Sequence, residues 1–285
     1  MKQRVISGVI IFILAVALGL IGGIPLAAVL AVCSMIGFYE MTRVLQVHGK
    51  EERFNVLEVT GEVWAAIYWV LLVYLSMKDN TDRFVSEANS LAILCFFGVF
   101  FVNMGIYVFT FPKYEAVQVI GSVFAFLYIP IMISCIYRSI FLPAGRFVYA
   151  LIFFSSWICD TCAWAVGRLC GRHKMAPVLS PKKTVEGAIG GIAGSTALCA
   201  GAAAVVRMLY PGTDFMAEFI IIGIAGSIIS MTGDLAASAI KRNHNIKDYG
   251  KIIPGHGGIM DRFDSIIFTA PAIYYLGVLL LTILR

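Results

Sequence analysis

The stretch SMTGDLAASAIKRNHNIKDYGKIIPGHGGIMDRFD, residues 230–264, concentrates carboxylates, cations and glycines between two apolar segments. The chain around it has 285 residues, of which 60% are hydrophobic and only 14% are charged. Soluble domains carry about 25% charged residues, so this composition predicts an integral membrane protein. A polar stretch bounded by apolar segments then marks a loop at the membrane surface, and its dense polar chemistry marks a functional site.

Apolar stretches that approach or reach the length needed to cross a bilayer, about 20 residues, recur along the whole chain. We place about nine of them, at 5–22, 24–45, 63–77, 90–111, 116–137, 147–168, 187–209, 217–240 and 264–283. The predicted fold class is therefore all-α, a polytopic membrane protein whose first helix stays uncleaved. Residues 1–150 hold about five of these helices, and residues 151–285 hold about four together with the polar loops.

The positions of Lys and Arg predict the orientation, because cytoplasmic loops are enriched in these residues. With the N-terminus inside, the cytoplasmic segments hold 16 of the 22 Lys and Arg residues and the external segments hold 6. Loops 168–186 and 241–263 then face the cytoplasm, where nucleotides are found. The net charge of +5 reflects these loops, and no basic run alternates with aromatics as nucleic-acid binding would require.

Ionisable side chains within membrane segments are costly and usually functional. Asp160 in the sixth span and Asp234 in the eighth are of this kind, whereas Glu40 near the end of the second span is more simply an interfacial residue. Cys159 and Cys162 form a CxxC motif, but no second pair accompanies it. We therefore favour helix packing over metal or redox chemistry for these cysteines.

Three carboxylates and several cations fall near the two ends of residues 230–264. Asp234, Ser238 and Lys241 share one helix face at spacings of four and three, and Arg242 follows directly. Asp261 and Asp264 begin the last helix, where the helix dipole alone would favour acids. Few carboxylates with room for water and substrate phosphate are also what Mg²⁺ requires, which makes these acids and Asp234 candidate metal ligands.

Two further stretches have the composition of phosphate-binding loops. In Gly255-His256-Gly257-Gly258 backbone N–H groups can approach an anion, and His256 is a candidate donor or acid–base group. Residues 180–187 place Lys182, Lys183 and Thr184 at the start of a helix, which favours phosphate binding. Taken alone, however, a lysine pair at the cytoplasmic edge is more often a topology signal or a lipid-headgroup contact than a phosphate site.

At this point a family resemblance is visible. The pattern reads Ser238-x-Ile240-Lys241-Arg242-x4-Lys247-Asp248-x-Gly250-x2-Ile253-Pro254-x-His256-Gly257-Gly258-Ile259-x-Asp261-Arg262-Phe263-Asp264. It resembles, without departure, the signature of the phosphatidate cytidylyltransferases (CDP-diacylglycerol synthases). The likeness extends over the C-terminal half, including Asp160, Gly167, Gly171, Lys174 and residues 180–187.

The resemblance implies transfer of the cytidylyl group from CTP to phosphatidate, giving CDP-diacylglycerol and pyrophosphate, at the cytoplasmic face of the cell membrane. It implies Mg²⁺ as cofactor, held by Asp234, Asp261 and Asp264, and a second cation for which Asp160 is a candidate ligand. The residues assigned on this hypothesis are, for catalysis, Asp234, Lys241, Arg242, Asp261, Arg262 and Asp264, and, for substrate binding, Lys182, Lys183, Thr184, Ser238, Lys247, His256, Gly257 and Gly258.

Three alternatives remain open at this stage. A CTP-dependent polyprenol kinase and a cytidylyltransferase for another lipid would use a similar polar loop. A cation-coupled transporter would use Asp160 and Asp234 as ion sites, although most of the charge lies at one interface and no internal repeat is evident. Small-residue faces on the seventh and eighth helices favour close helix packing and are compatible with a homodimer.

Overall fold

The chain is predominantly helical in a computed structural model that describes residues 2–47, 55–78, 81–253 and 257–283. Within this described part, eight helical segments are long and apolar enough to cross a bilayer. They are Gly23–Val44, Val56–Ser76, Arg83–Phe109, Ala116–Ser139, Gly145–Cys170, Val185–Leu209, Met216–Asn243 and Ile266–Ile283. Each matches a predicted span after the first. The first predicted span, 5–22, corresponds to helix α1 (Lys2–Ile21). The all-α polytopic fold is confirmed.

Contacts divide the chain into two compact units, and the first comprises Met1–Arg138 with Ile246–Arg262. Its helices are α1, α2 (Gly23–Val44), α3 (Val56–Ser76), α4 (Thr81–Phe109), α5 (Ala116–Phe126) and α6 (Met132–Ser139). A π-helical turn at Leu127–Ile131, which contains Pro130, joins α5 to α6. Buried polar groups inside the unit pair with one another, as the indole N–H of Trp69 does with Ser34 Oγ at 2.7 Å. Such pairing is required where lipid offers no partner.

Two helices of the first unit begin earlier than hydropathy predicts. α3 begins at Val56 rather than near 63, and α4 begins at Thr81 rather than near 90. Asn55 accepts the backbone N–H of Leu57 and so caps α3, and Glu58 occupies its first turn. Polar first turns are compatible with a helix but lower the hydropathy. The predicted boundaries were therefore wrong at these ends.

The second unit comprises Ser139–Asn245 with Phe263–Arg285. Its elements are α7 (Gly145–Phe153), α8 (Cys159–Cys170), β1 (Lys174–Ala176), β2 (Ser180–Thr184), α9 (Val185–Leu209), α10 (Met216–Asn243) and α12 (Ile266–Gly277). The short α11 (Met260–Phe263) belongs, apart from its last residue, to the first unit. A π-helical turn at Phe154–Ile158 precedes α8, and another at Val278–Ile283 follows α12. The antiparallel pair β1–β2, with Lys174 opposite Thr184, was not predicted. The division into 1–150 and 151–285 stays a prediction about which half carries the chemistry.

Glycines let α8, α9 and α10 approach one another closely in the second unit. A Cβ at Gly191 would lie 2.8 Å from the backbone carbonyl oxygen of Cys159, and one at Gly194 would lie 2.5 Å from Cys162 Sγ. The CxxC cysteines therefore pack against small residues of α9, in agreement with the predicted helix packing. Close approach of backbones is the usual reason for small residues in membrane helices.

Candidate active site

Asp234 pairs with a lysine of the predicted phosphate loop. It lies on α10, and its Oδ2 is 2.5 Å from Nζ of Lys183, which comes from β2. Both side chains are partly buried. Packing of α9 on α10 brings β2, which leads directly into α9, to this position. The structure thus joins two of the residues that the sequence assigned to separate motifs.

Asp264 lies between α11 and α12, outside the membrane-spanning segments. The pKa of its carboxyl is raised to about 7, mainly by burial and then by the neighbouring Asp234 carboxylate, while the Lys241 ammonium opposes the rise. Lys241 Nζ lies 3.9 Å from Asp264 Oδ2. Burial and the Asp234 carboxylate together disfavour the anionic form of Asp264 more than Lys241 offsets, and a bound cation would favour that form.

Asp160 on α8 belongs to the same electrostatic group, because it interacts with both Asp234 and Lys183. In the described part of the chain, no group of three or more His, Cys, Asp or Glu side chains is placed to hold a metal ion. Mg²⁺ is usually bound by one or two carboxylates together with water and substrate phosphates. The carboxylate oxygens of Asp234 and Asp264 fit that type of site, with Asp160 beside them.

A cavity of about 350 Å³ opens beside this group in the second unit. One part of its wall is polar and includes Asp160, Arg168, Lys182, Lys183 and Thr184. Another part is apolar and includes Ala163, Trp164, Met175, Ala188 and Met231. Trp164 and Arg168 were not among the predicted site residues. A mixed wall of this kind suits a ligand with an anionic group attached to apolar carbon.

Hydrogen bonds at the start of α9 hold the segment around β1 and β2, and β2 carries Lys182 and Lys183. Glu186, in the first turn of α9, lies 2.6 Å from His173 Nδ1 and accepts the backbone N–H groups of Arg172 and His173. Thr184 Oγ1 accepts the N–H of Gly187 and so caps α9. A Cβ at Gly167 or Gly171 would lie 2.8 Å from that same oxygen, which explains glycine at both positions.

In the first unit, Asp261 organises the loop that precedes it. Its carboxylate is buried, and Oδ2 accepts the backbone N–H groups of Tyr249 at 2.8 Å and Gly258 at 2.9 Å. Gly257 has a φ of +83°, which favours glycine, and its N-terminal neighbour His256 lies outside the described residues. Asp261 therefore shapes the loop, and its convergence with Asp234 and Asp264 on one metal ion stays a prediction.

The remaining predicted residues differ in exposure. Lys247 and Arg242 are exposed, whereas Ser238, Gly257 and Arg262 are half-buried and Gly258 is buried. The exposed cations have the freedom that long side chains need to reach a phosphate. Their assignment to substrate binding stays a prediction.

Comparison with known proteins decides the family. The sequence profile of the cytidylyltransferase family matches residues 2–280. The chain belongs to the cytidylyltransferase family. It is 31% identical to a protein named phosphatidate cytidylyltransferase from Synechocystis sp., over 99% of this chain and 98% of the relative. It is 28% identical to the protein of that name from Bacillus subtilis, over 97% of each.

Membership confirms the resemblance read from residues 238–264 and identifies the chain as a nucleotidyltransferase enzyme. It also extends the likeness to the N-terminal half, which the motifs alone did not cover. A transporter is accordingly disfavoured. The family match and the eight apolar helices together describe a multi-pass membrane enzyme.

One residue of the first unit was missed as part of the site. Glu40 of α2 accepts backbone N–H groups from Ile259 and Met260, within the signature. Its position was a weak signal, since Glu40 is a carboxylate near the end of a predicted membrane span. Its partners were not predictable, because they lie 219 and 220 positions away along the chain.

Proposed function

We propose that this enzyme transfers the cytidylyl group of CTP to phosphatidate, giving CDP-diacylglycerol and pyrophosphate. The observation that carries the proposal is the group of Asp160, Asp234 and Asp264 with Lys183 and Lys241, beside a cavity that is partly polar and partly apolar. The names of the similar proteins favour phosphatidate as the acceptor.

The reaction depends more on positioning the anionic substrates and stabilising their charge than on proton transfer. A phosphate oxygen of phosphatidate attacks the α-phosphorus of CTP, a new P–O bond forms, and the bond to the bridging oxygen of the β-phosphate breaks. The nucleophile is already anionic near neutral pH, so no strong general base is needed. Positioning and electrostatic stabilisation of the leaving pyrophosphate then supply the catalysis.

Asp234 and Asp264 are the side chains that would hold Mg²⁺, together with Asp261 as the sequence predicts and Asp160 as the candidate ligand for a second cation. When bound, Mg²⁺ would neutralise charge on the CTP phosphates and on the departing pyrophosphate. Lys241 Nζ lies 3.9 Å from Asp264 Oδ2 and offsets part of the charge of that carboxylate.

The cavity beside α8 suits the lipid substrate. Lys182 and Lys183 provide cations for the phosphate of phosphatidate, and the apolar wall with Trp164 and Met231 suits its glycerol backbone and the first acyl carbons. A volume of about 350 Å³ leaves the rest of both acyl chains in the bilayer. Lys241, Arg242, Lys247 and Arg262 are then assigned to the triphosphate of CTP.

The proposed orientation places this chemistry at the cytoplasmic face of the cell membrane. It rests on the excess of Lys and Arg in segments on that side. CTP is made in the cytoplasm, and phosphatidate is in the bilayer, so an interfacial site meets both substrates.

The test uses purified protein in detergent micelles with phosphatidate, Mg²⁺ and CTP labelled at the α-phosphate. Labelled CDP-lipid and one pyrophosphate per turnover are expected. Asp264→Asn should lower kcat by about 100-fold or more, as loss of a transition-state electrostatic contact does. Activity near that of the wild type in Asp264→Asn would contradict the metal assignment.

The same assay separates the lipid-directed alternatives. With a polyprenol as acceptor, a kinase would release CDP and form a phosphorylated alcohol. A cytidylyltransferase for another lipid would form a CDP-lipid from an ether-linked isoprenoid phosphate and none from phosphatidate. A preference for either acceptor over phosphatidate would overturn the proposal.

A further inference from the structure

Glu40 provides a buried carboxylate for the backbone of the signature segment. It lies near the end of α2 and is 3% exposed. Its Oε1 accepts the N–H of Ile259 at 3.2 Å, and its Oε2 accepts the N–H of Met260 at 2.9 Å. Both N–H groups lie at the start of α11, where a helix leaves such groups without an internal partner. Each carboxylate oxygen therefore satisfies one of them.

Two glycines of the signature leave room for this carboxylate. A Cβ built at Gly250 or at Gly258 would overlap Glu40 Oε1. The segment thus approaches the carboxylate from two points of its backbone as well as through two hydrogen bonds. Larger residues at either glycine would push the loop away from α2.

The same segment carries residues that the proposed function assigns to CTP and its metal. Gly258 donates to the Asp261 carboxylate, and the next two N–H groups, of Ile259 and Met260, donate to Glu40. Three consecutive amides are therefore held by two carboxylates. Lys247 and Arg262 lie within the same stretch of chain, so their positions depend on its conformation.

We propose that Glu40 is a positioning residue, whose carboxylate fixes the segment that presents Lys247, Asp261 and Arg262 to the phosphates of CTP. The naming of CTP rests on the proposed function. The anchoring of the segment rests only on the hydrogen bonds and the two glycine contacts.

Negative charge is central to this role. Both groups facing the carboxylate are donors, and a carboxylate offers acceptors to both. Glutamine has nearly the same shape but carries one acceptor oxygen, and its NH₂ group would face a backbone N–H. Substitution by Gln therefore breaks one of two charge-assisted hydrogen bonds without leaving a cavity.

The first experiment measures hydrogen exchange in Glu40→Gln. Amides of residues 246–262 should exchange roughly ten-fold faster than in the wild type, the factor expected for losing one hydrogen bond to a charged group. Amides of α9 should be unaffected. Glu62→Gln is the matched control, since Glu62 is a half-buried carboxylate on α3, and it should leave exchange in 246–262 unchanged.

The second experiment separates positioning from a general loss of folded protein. Glu40→Gln should raise KM for CTP by roughly ten-fold and change KM for phosphatidate by less than about two-fold. A reduced folded fraction would lower kcat and leave both KM values unchanged. Glu40→Asp keeps the charge on a shorter side chain and should recover part of the CTP affinity.

A second variant covers the case in which Glu40→Gln does not fold. Gly250→Ala leaves α2 untouched and places a Cβ against Glu40 Oε1, so it should reproduce both the faster exchange and the CTP-specific rise in KM.

Unchanged exchange in 246–262, an equal rise in both KM values, or a Glu40→Asp variant no better than Glu40→Gln would each overturn the inference. Absence of CTP-dependent product from the wild type would instead refute the proposed function and leave the exchange result standing.

Discussion

At the scale of single residues, Asp234 has a lysine partner where the proposed function requires a metal ion. Lys183 Nζ lies 2.5 Å from its carboxylate and neutralises it. A lysine and a divalent cation compete for the same charge, so binding of the cation is opposed by the pair. The opposition is substantial, since Lys183 Nζ is buried and both side chains are only partly exposed, so solvent screens their interaction weakly.

Lys183→Met removes this competitor and should therefore tighten Mg²⁺ binding while it lowers turnover with phosphatidate. The two effects have opposite sign because the lysine is assigned both to Asp234 and to the lipid phosphate. The shift of the unfolding temperature with Mg²⁺ concentration measures the first effect, and the cytidylyl transfer assay measures the second. Lys182→Met is the control, since Lys182 is exposed, and it should leave Mg²⁺ binding unchanged. Weaker Mg²⁺ binding in Lys183→Met would refute the competition.

Asp264→Asn should raise the unfolding temperature of the metal-free protein clearly more at pH 8 than at pH 5. The folded-state pKa of this carboxyl is about 7, above the value near 4 of an unfolded chain. Between these values the folded state alone holds the proton, so wild-type stability falls as pH rises toward 7 and stays low above it. The amide avoids this cost, which reaches about 4 kcal/mol above the folded-state pKa because each pKa unit corresponds to about 1.4 kcal/mol.

Thermal unfolding in excess chelator across pH 5 to 8 checks this prediction. The amide oxygen can still accept the backbone N–H of Ser265, as the carboxylate does at 2.9 Å. A difference between variant and wild type that did not grow with pH would show that burial of charge at this position costs nothing.

At the scale of elements, the second unit depends on how closely α9 can approach α8. Gly191 faces the backbone of α8, where nothing can move aside easily, whereas a Cβ at Gly201 on the same helix would meet open space. Gly191 is thus required for the close packing of α9 on α8, whereas packing does not require a glycine at position 201.

Gly191→Ala should lower the stability of the protein by roughly 1–3 kcal/mol, the usual cost of forcing extra volume into a packed interior. Gly201→Ala should be neutral or should stabilise by up to about 1 kcal/mol, because alanine favours the helix. Thermal unfolding of the two variants in the same detergent measures the difference. Equal stability of both variants would contradict close packing of α8 on α9.

The elements themselves were predictable to different degrees. Membrane helices follow from apolar runs of sufficient length, so the spans were found, and errors arose where α3 and α4 begin with polar turns. The hairpin β1–β2 was missed because its strands are short and lack an alternating apolar pattern. Local sequence does not encode elements that packing at the membrane surface stabilises.

The site was predictable as a set of residues but not as a set of contacts. Asp160 and Asp234 stood out because charge is costly within membrane segments. Asp264 and Lys183 stood out by their places at helix starts within the polar loops. The pairing of Lys183 with Asp234 arises from the packing of α9 on α10, and the bonds of Glu40 join residues 219 and 220 positions apart. Such contacts depend on the whole fold.

At the scale of the whole molecule, the distribution of cations predicts which side of the membrane carries the chemistry. Loop 168–186 contains Cys170, which is exposed, whereas the other six cysteines are buried or partly buried. Cys170 can therefore be labelled to test whether its loop faces the cytoplasm.

A membrane-impermeant maleimide should label Cys170 in inverted vesicles and leave it unlabelled in intact spheroplasts. The positive-inside bias is the physical reason. Cys170→Ser should remove the label and so identifies the site. Labelling from the outside of intact cells would reverse the orientation and with it the proposed access to CTP.

The bond between Glu40 and Met260 also constrains the order of biosynthesis. Glu40 is inserted into the membrane with α2, whereas its partner Met260 is synthesised 220 residues later. At translation rates of 5–20 residues per second, that interval lasts roughly 10 to 45 seconds. During this time Glu40 must be tolerated in the bilayer by other means, such as protonation or water. A nascent chain stopped before residue 259 thus carries an acid in its second helix without the two backbone donors that bind it in the finished enzyme.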